Sequence, residues 1–251
     1  MKKVALLITV LIFFVIIKGF SQDSSEVVFN NPTKIKATSF ILPVGFISYG
    51  VLALHNHTLL TLNTKIQQHI LPNNIGNKIH VDNYLQFAPG VIALGLNIAG
   101  IKGAHSLKDA AIIYGLSNVI LNGIVIPTKK ISKELRPDGS AYSSFPSGHT
   151  SEAFASAEFL RMEYKNVSPI LGWAGYAMAG MTGYLRMYNN KHWFNDVVAG
   201  AGVGIASTKL AYLVYSGVFN NRKTKKYKKS IGLVAPFYLQ GNVGLAYSRK
   251  F

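Results

Sequence analysis

The chain predicts an all-α membrane helical bundle of about six helices with a short C-terminal β-hairpin. Three observations carry that expectation. Apolar segments of near-spanning length recur between residues 38 and 219. Only 14% of residues are charged and 49% are hydrophobic, with a mean hydropathy of +0.24, whereas soluble domains carry about 25% charge. Beyond Ile231 the apolar residues fall on alternate positions, the period of a strand.

The elements follow in chain order. Lys2 and Lys3 precede an apolar stretch, 4–17, and a small-residue exit at Gly19-Phe20-Ser21-Gln22. Residues 1–21 therefore read as an export signal peptide or an uncleaved N-terminal anchor, and 22–37 as a polar linker. Segments 38–54, 84–101, 109–127, 168–185 and 197–219 approach the roughly 20 residues that cross a bilayer. A shorter helix-like stretch, 149–162, lies between them. Small residues recur at Gly172, Gly175, Gly180 and Gly183, and again at Gly200, Gly202 and Gly204, a spacing that lets helix backbones approach closely. Residues 38–220 thus form one helical domain. A soluble all-helical protein is the alternative, but low charge and long apolar runs favour lipid contact. The segment 221–251 opens on a basic run, Arg222 to Lys229. It continues with Ile231, Leu233, Ala235, Phe237 and Leu239, then Val243, Leu245 and Tyr247, a hairpin pattern turning at Gly241.

Charge and composition narrow the chemistry. Twenty-six basic residues against 10 acidic give a net charge of +16, which suits nucleic acid, anionic lipid or a phosphorylated substrate. The basic residues lie between apolar runs, which weighs against nucleic acid. There is no cysteine, so a disulfide framework, a thiolate zinc site and thiolate nucleophilic catalysis are excluded. The carboxylates are scattered, with no Asp-x-Asp pair and no His/Asp cluster at ligand spacing. No metal and no cofactor are expected.

Three clusters at the ends of apolar segments carry the functional signal: Lys129-x6-Arg136-Pro137, Pro146-Ser147-Gly148-His149, and Arg186-x5-His192-x3-Asp196. In this order and spacing they resemble the type 2 phosphatidic acid phosphatase family, which shares its site with vanadium haloperoxidases and class A bacterial acid phosphatases. The resemblance runs from the third apolar segment to the last. It implies a helical bundle and a nucleophile at His192, which forms a phosphohistidine. It also implies a general acid at His149 and phosphate binding by Lys129, Arg136, Ser147, Gly148 and Arg186. One position departs from the pattern: Leu185 stands where the family has Ser, which removes a possible phosphate hydrogen bond.

The residue types fit that chemistry independently. Phosphoryl transfer rests on positioning and on stabilising charge at the equatorial oxygens. Lys129, Arg136 and Arg186 supply three cations, and the arginines can bind oxygens bidentately. Ser147 and the Gly148 amide, at a loop-to-helix junction, can donate to an anion. Asp196 is four residues beyond His192, on the same face of a helix, where it can orient the ring. Each residue alone also has a plainer reading. Lys129, Arg136 and Arg186 suit interfacial cations, Ser147 an N-cap, Gly148 a turn, and the histidines ordinary polar side chains. The joint match decides against those readings.

The resemblance implies a phosphatase acting on a phosphorylated membrane lipid in a bacterial cell envelope. Lipid A or undecaprenyl diphosphate is the favoured substrate. A non-catalytic lipid-binding protein on the same fold and a vanadate-dependent haloperoxidase are the alternatives. The basic run after the last span, if cytoplasmic, turns the three clusters toward the periplasm. That orientation requires one apolar segment not to cross, and 38–54, short and containing Pro43 and Gly45, is the choice. The sequence leaves the oligomeric state open.

Overall fold

The computed structural model describes residues 35–71, 78–219, 232–239 and 242–249. Eight α-helices stand among them, where the sequence suggests about six. A 3-10 turn, Ala37–Phe40, leads into α1 (Ile41–Ala53). Asn56 caps α2 (His57–Ile70), its side-chain oxygen accepting from the Thr58 and Leu59 amides at 3.0 and 3.2 Å. The apolar segment 84–101 divides into a single turn, α3 (Asp82–Leu85), and α4 (Ala88–Ile98), which begins with Pro89 in its first turn. Ser106 caps α5 (Leu107–Ser132), and Lys133 ends it in the left-handed region at φ 46°. Ser147 caps α6 (Gly148–Tyr164); α7 (Pro169–Tyr188) and α8 (Phe194–Phe219) follow. Helix α2 escapes the sequence reading because its apolar residues cover one face only, and its inward side chains include Asn63 and Gln67.

Fewer segments can cross a membrane than the apolar runs suggest. Among the described residues α5 and α8 alone are individually long and apolar enough, and α1 with α2 makes a third at most. That pair bends by 98°, a broken or re-entrant shape like the one expected for 38–54. Segments 84–101 and 168–185 do not qualify: α4 has only 11 residues, and α7 is diluted by glycine, alanine and Arg186.

At the centre lies α6, the least apolar of the long helices, yet Ala153, Ala155, Ala157 and Phe159 are all 0% exposed. Its three carboxylates are each partnered. The Tyr114 hydroxyl donates to Glu152 at 2.8 Å, Arg161 binds Glu158 at 2.6 and 2.7 Å, and the Tyr212 hydroxyl donates to Glu163 at 2.6 Å. Buried carboxylates survive in a core only when so compensated. This explains why hydropathy alone marks the stretch weakly.

Small residues set the helix spacing. A Cβ at Gly200 would lie 2.7 Å from the Ser147 carbonyl oxygen, and one at Gly204 2.2 Å from that of Ser151. Gly202 meets α1 instead, 2.6 Å from the Pro43 carbonyl. Helix α8 therefore lies backbone to backbone against α6 on one side and α1 on the other, as small residues permit. Gly172, Gly175 and Gly183 of α7 are likewise tightly faced, whereas Gly180 opens onto nothing within 4 Å.

The tail segment forms two strands, β1 (Gly232–Leu239) and β2 (Asn242–Arg249), paired antiparallel with Leu239 opposite Asn242. The export segment at 1–21, the polar linker up to residue 34, the basic run and the turn at Gly241 lie outside the described residues.

Candidate active site

Four helix ends meet at one end of the bundle. The C-termini of α5 and α7 bring Lys129 and Arg186, and the N-termini of α6 and α8 bring Ser147, Gly148, His149 and Asp196. The connection after α5 supplies Arg136, and the turn before α8 supplies His192. Helix N-termini carry partial positive charge, so two of these four ends favour an anion.

The loops are tied to each other by named bonds. The Ser147 amide donates to the Asp196 carbonyl at 3.1 Å, joining the second and third clusters. Lys129 Nζ donates to the Ser143 and Ser144 carbonyls at 2.6 and 3.1 Å, joining the first to the second. Lys191 binds Asp138 at 2.5 Å, and Trp193 Nε1 donates to the Leu135 carbonyl at 2.9 Å. The convergence arises from α6 and α7 running antiparallel.

His192 is 1% exposed and Asp196 0%. The ring presents Nδ1 to Asp196 Oδ2 at 3.3 Å, so Nδ1 carries the proton and Nε2 holds the lone pair. The same Oδ2 accepts from the Ser144 hydroxyl at 2.5 Å and the Trp193 amide at 2.9 Å. Burial holds the His192 imidazole down at about 4, against the pull of Asp196 toward the charged form. The ring is therefore neutral at pH 7, as a nucleophile must be.

His149 is half-buried, and its Nε2 lies 3.0 Å from Asn83 Oδ1, which can only accept. Burial first, and then the Arg186 guanidinium, lower it to about 4. A histidine lowered this far carries no proton to donate at pH 7 until an anion offsets the surrounding cations. Lys129 and Arg136 add to that field.

The cations are held from behind. Arg186 Nη1 binds Asp82 Oδ2 at 2.7 Å, with the carboxylate fully buried. The Nε atoms of Arg136 and Arg186 are both buried and meet no acceptor among the described residues. Buried donors of this kind belong where a ligand supplies the acceptor. Ser147 Oγ accepts from the Thr150 amide and hydroxyl at 3.4 and 2.8 Å, which leaves its own O–H to donate. Leu185, in the position of the family's Ser, is buried.

Supporting residues that the motifs do not reveal come from elsewhere in the chain. Asp82 and Asn83 on α3 orient Arg186 and His149. Ser144 and Glu134 adjoin Asp196. From α2, Asn63 exchanges two bonds with Asn195, at 3.0 and 3.2 Å, and Gln67 donates to the Met187 carbonyl and to Asn190 at 2.9 and 2.8 Å. A polar inward face on a short amphipathic helix was the one available signal. Among the described residues no three His, Asp or Glu side chains are grouped to hold a metal ion.

This end of the bundle is where a family match falls: residues 110–220 match the model of the PAP2 superfamily. A 149-residue stretch is 38% identical to the lipid A 1-phosphatase of Porphyromonas gingivalis, covering 59% of this chain and 34% of that protein. The chain thus spans about a third of that relative's length. Two solved structures are similar at lower identity. The Aquifex aeolicus LpxE crystal structure matches at 23% identity and a TM-score of 0.46, over 60% of this chain and 94% of that one. The first transmembrane PAP2 type phosphatidylglycerolphosphate phosphatase from Bacillus subtilis matches at 16% and 0.48, over 74% and 99%. The PAP2 match ends before the paired strands, and none of these relatives lends the hairpin support.

Proposed function

We propose that the chain is a metal-independent membrane lipid phosphatase that works through a phosphohistidine on His192. The observation that carries this reading is the convergence of Lys129, Arg136 and Arg186 on two neutral histidines, with two buried guanidinium donors that meet no acceptor among the described residues. In the reaction, the cations and the N-termini of α6 and α8 take the phosphate oxygens, and His192 Nε2 attacks phosphorus. The bound anion raises His149, which protonates the leaving oxygen. Water, activated by the same residue, then hydrolyses the phosphohistidine.

Lipid A is the favoured substrate, with undecaprenyl diphosphate as the second. Similarity to the lipid A 1-phosphatase of Porphyromonas gingivalis supports the first. So does a cavity of about 260 Å³ beside His149 and Gly148, lined by the polar Gln86, Asn118, Asn122 and Glu152 and by the apolar Phe87 and Leu121. Amide and carboxyl walls suit the hydroxyl groups of a sugar headgroup. We also place the protein in the bacterial envelope with the site facing the periplasm.

The test is phosphate release by detergent-purified protein from lipid A, undecaprenyl diphosphate, phosphatidylglycerol phosphate and phosphatidic acid, with EDTA present. Release from one lipid that persists in EDTA and vanishes in His192→Ala supports both mechanism and substrate. Release from none by folded protein removes the reading in favour of a non-catalytic lipid-binding role.

A further inference from the structure

Glu134 lies outside the three motifs, yet it sits against the carboxylate that orients His192. Its carboxyl group adjoins that of Asp196 closely enough for each to influence the other's proton affinity, and Ser144 ties the two residues together. The Ser144 amide donates to the Glu134 carbonyl at 2.9 Å, while its hydroxyl donates to Asp196 Oδ2 at 2.5 Å. The two oxygens without a hydrogen-bond partner are the informative ones. Glu134 Oε2 and Asp196 Oδ1 are both buried, and neither meets a donor among the described residues. Two ionised carboxylates in that arrangement would leave both oxygens unsatisfied and repel each other. One shared proton satisfies both at once.

The choice of which carboxyl keeps the proton follows from the remaining bonds. Asp196 Oδ2 accepts three donors, from Ser144, Trp193 and His192. Glu134 Oε1 accepts one long bond, 3.4 Å, from Asn195 Nδ2. Donors stabilise the ionised form, so the charge resides on Asp196 and the proton on Glu134. We propose that Glu134 is a protonated acid at neutral pH, that its Oε2–H donates to Asp196 Oδ1, and that it is thereby a positioning residue for His192. The charged and titratable groups around it are Asp196 on α8, Lys129 on α5, and, through these two, His192 and Arg136. In agreement, burial and the neighbouring Asp196 push the Glu134 carboxyl up to about 9. Asn195 is itself clamped by Asn63 of α2, so the chain of bonds from α2 to His192 is Asn63, Asn195, Glu134, Asp196.

The proton gives the pair a single negative charge. Loss of it at alkaline pH puts a second negative charge against Asp196, and repulsion between the two carboxylates displaces the group that orients the His192 ring. The activity arm of the test rests on the phosphatase reading; the spectroscopic arm does not. In difference infrared spectra at pH 7, purified wild type shows a protonated carboxylic-acid carbonyl band that is missing in Glu134→Gln and displaced in Glu134→Asp. An unchanged band in both variants overturns the proposal, whatever the enzyme does. The second arm measures turnover of p-nitrophenyl phosphate, whose leaving group needs no proton from His149. Wild type loses activity as pH rises through about 9, while Glu134→Gln, whose amide still donates, stays within about threefold of wild type at pH 7 and loses that alkaline limb. Glu134→Ala loses activity at every pH. A Gln variant as impaired as the Ala variant, with the wild-type profile shape, means that Glu134 only fills space, and the proposal fails. Should the Gln variant not fold, the wild-type band and its displacement in Glu134→Asp decide the matter.

Discussion

At the scale of single residues the site is governed by which groups are charged before substrate arrives. His192 and His149 are both held down at about 4, so both are neutral at pH 7 in the free protein. On the proposed mechanism His192 attacks in its neutral form, and kcat/KM is therefore expected to fall as pH drops through about 4. His149 must be protonated in the complex, so kcat falls on the alkaline side, at a pH above its free value because the bound phosphate offsets Arg186. A bell-shaped kcat profile checks this, and a profile monotonic across about pH 4 to 9 rejects it. Stability follows a related rule. A histidine lowered from 6.5 to about 4 is neutral in the fold, and the fold loses stability as pH falls through that window. Thermal unfolding in detergent at pH 7 and 4.5 should show the drop, reduced in His149→Asn. The Asp82–Arg186 pair is buried on both sides. Asp82→Asn keeps an acceptor but removes the charge, so it should destabilise the fold by about 1–3 kcal/mol. Because Arg186 loses its anchor, kcat/KM should fall about tenfold, which steady-state kinetics would measure.

At the scale of elements the argument concerns spacing. The α6–α8 contact is made of backbone, with Gly200 and Gly204 against the Ser147 and Ser151 carbonyls. The same contact carries the bond from the Ser147 amide to the Asp196 carbonyl. Gly204→Val therefore has to push α8 away from α6. We expect a loss of about 3 kcal/mol or more, read as a lower unfolding temperature, together with loss of phosphate release. Gly180, with open space around its Cβ position, is the control: Gly180→Ala should leave activity intact and stabilise α7 by up to about 1 kcal/mol. Glycine spacing was legible in the sequence; which glycines face a neighbour was not. Helix α2 shows the same limit. Its residues Asn63 and Gln67 look like an ordinary polar surface until the fold turns them toward Asn195 and the α7–α8 turn.

At the scale of the whole molecule, the motifs gather at one end of the bundle, and a second polar cluster lies at the other. There the Ala104 amide donates to the Glu163 carbonyl at 2.9 Å, and His105 Nδ1 meets Glu163 Oε1 at 2.8 Å, which sets the C-terminus of α6 beside the start of α5. The chain has no cysteine, so single introduced thiols report sidedness directly. Ser140→Cys, on the exposed loop by the site, should react with an impermeant maleimide added to spheroplasts if the site faces the periplasm. Asn166→Cys, exposed between α6 and α7, should react only after lysis. The reverse pattern would turn the site inward. The sequence by itself determined the helical class and the similarity to the PAP2 superfamily over residues 110–220, and it marked the three spaced motifs, because cation, serine and histidine spacing is local and chemically specific. It suggested five apolar segments of near-spanning length where, among the described residues, two helices, or three with the bent pair, are long and apolar enough, since a break such as that between α3 and α4 divides an apolar run. Only the tertiary structure decided that α6 is central and why its carboxylates survive there. It also decided that α2 and α3 support the site, and that Glu134 faces Asp196. These contacts join residues such as Asn63 and Asn195, or Asp82 and Arg186, far apart in the chain, and polar pairing across such distances leaves no periodic trace in the sequence.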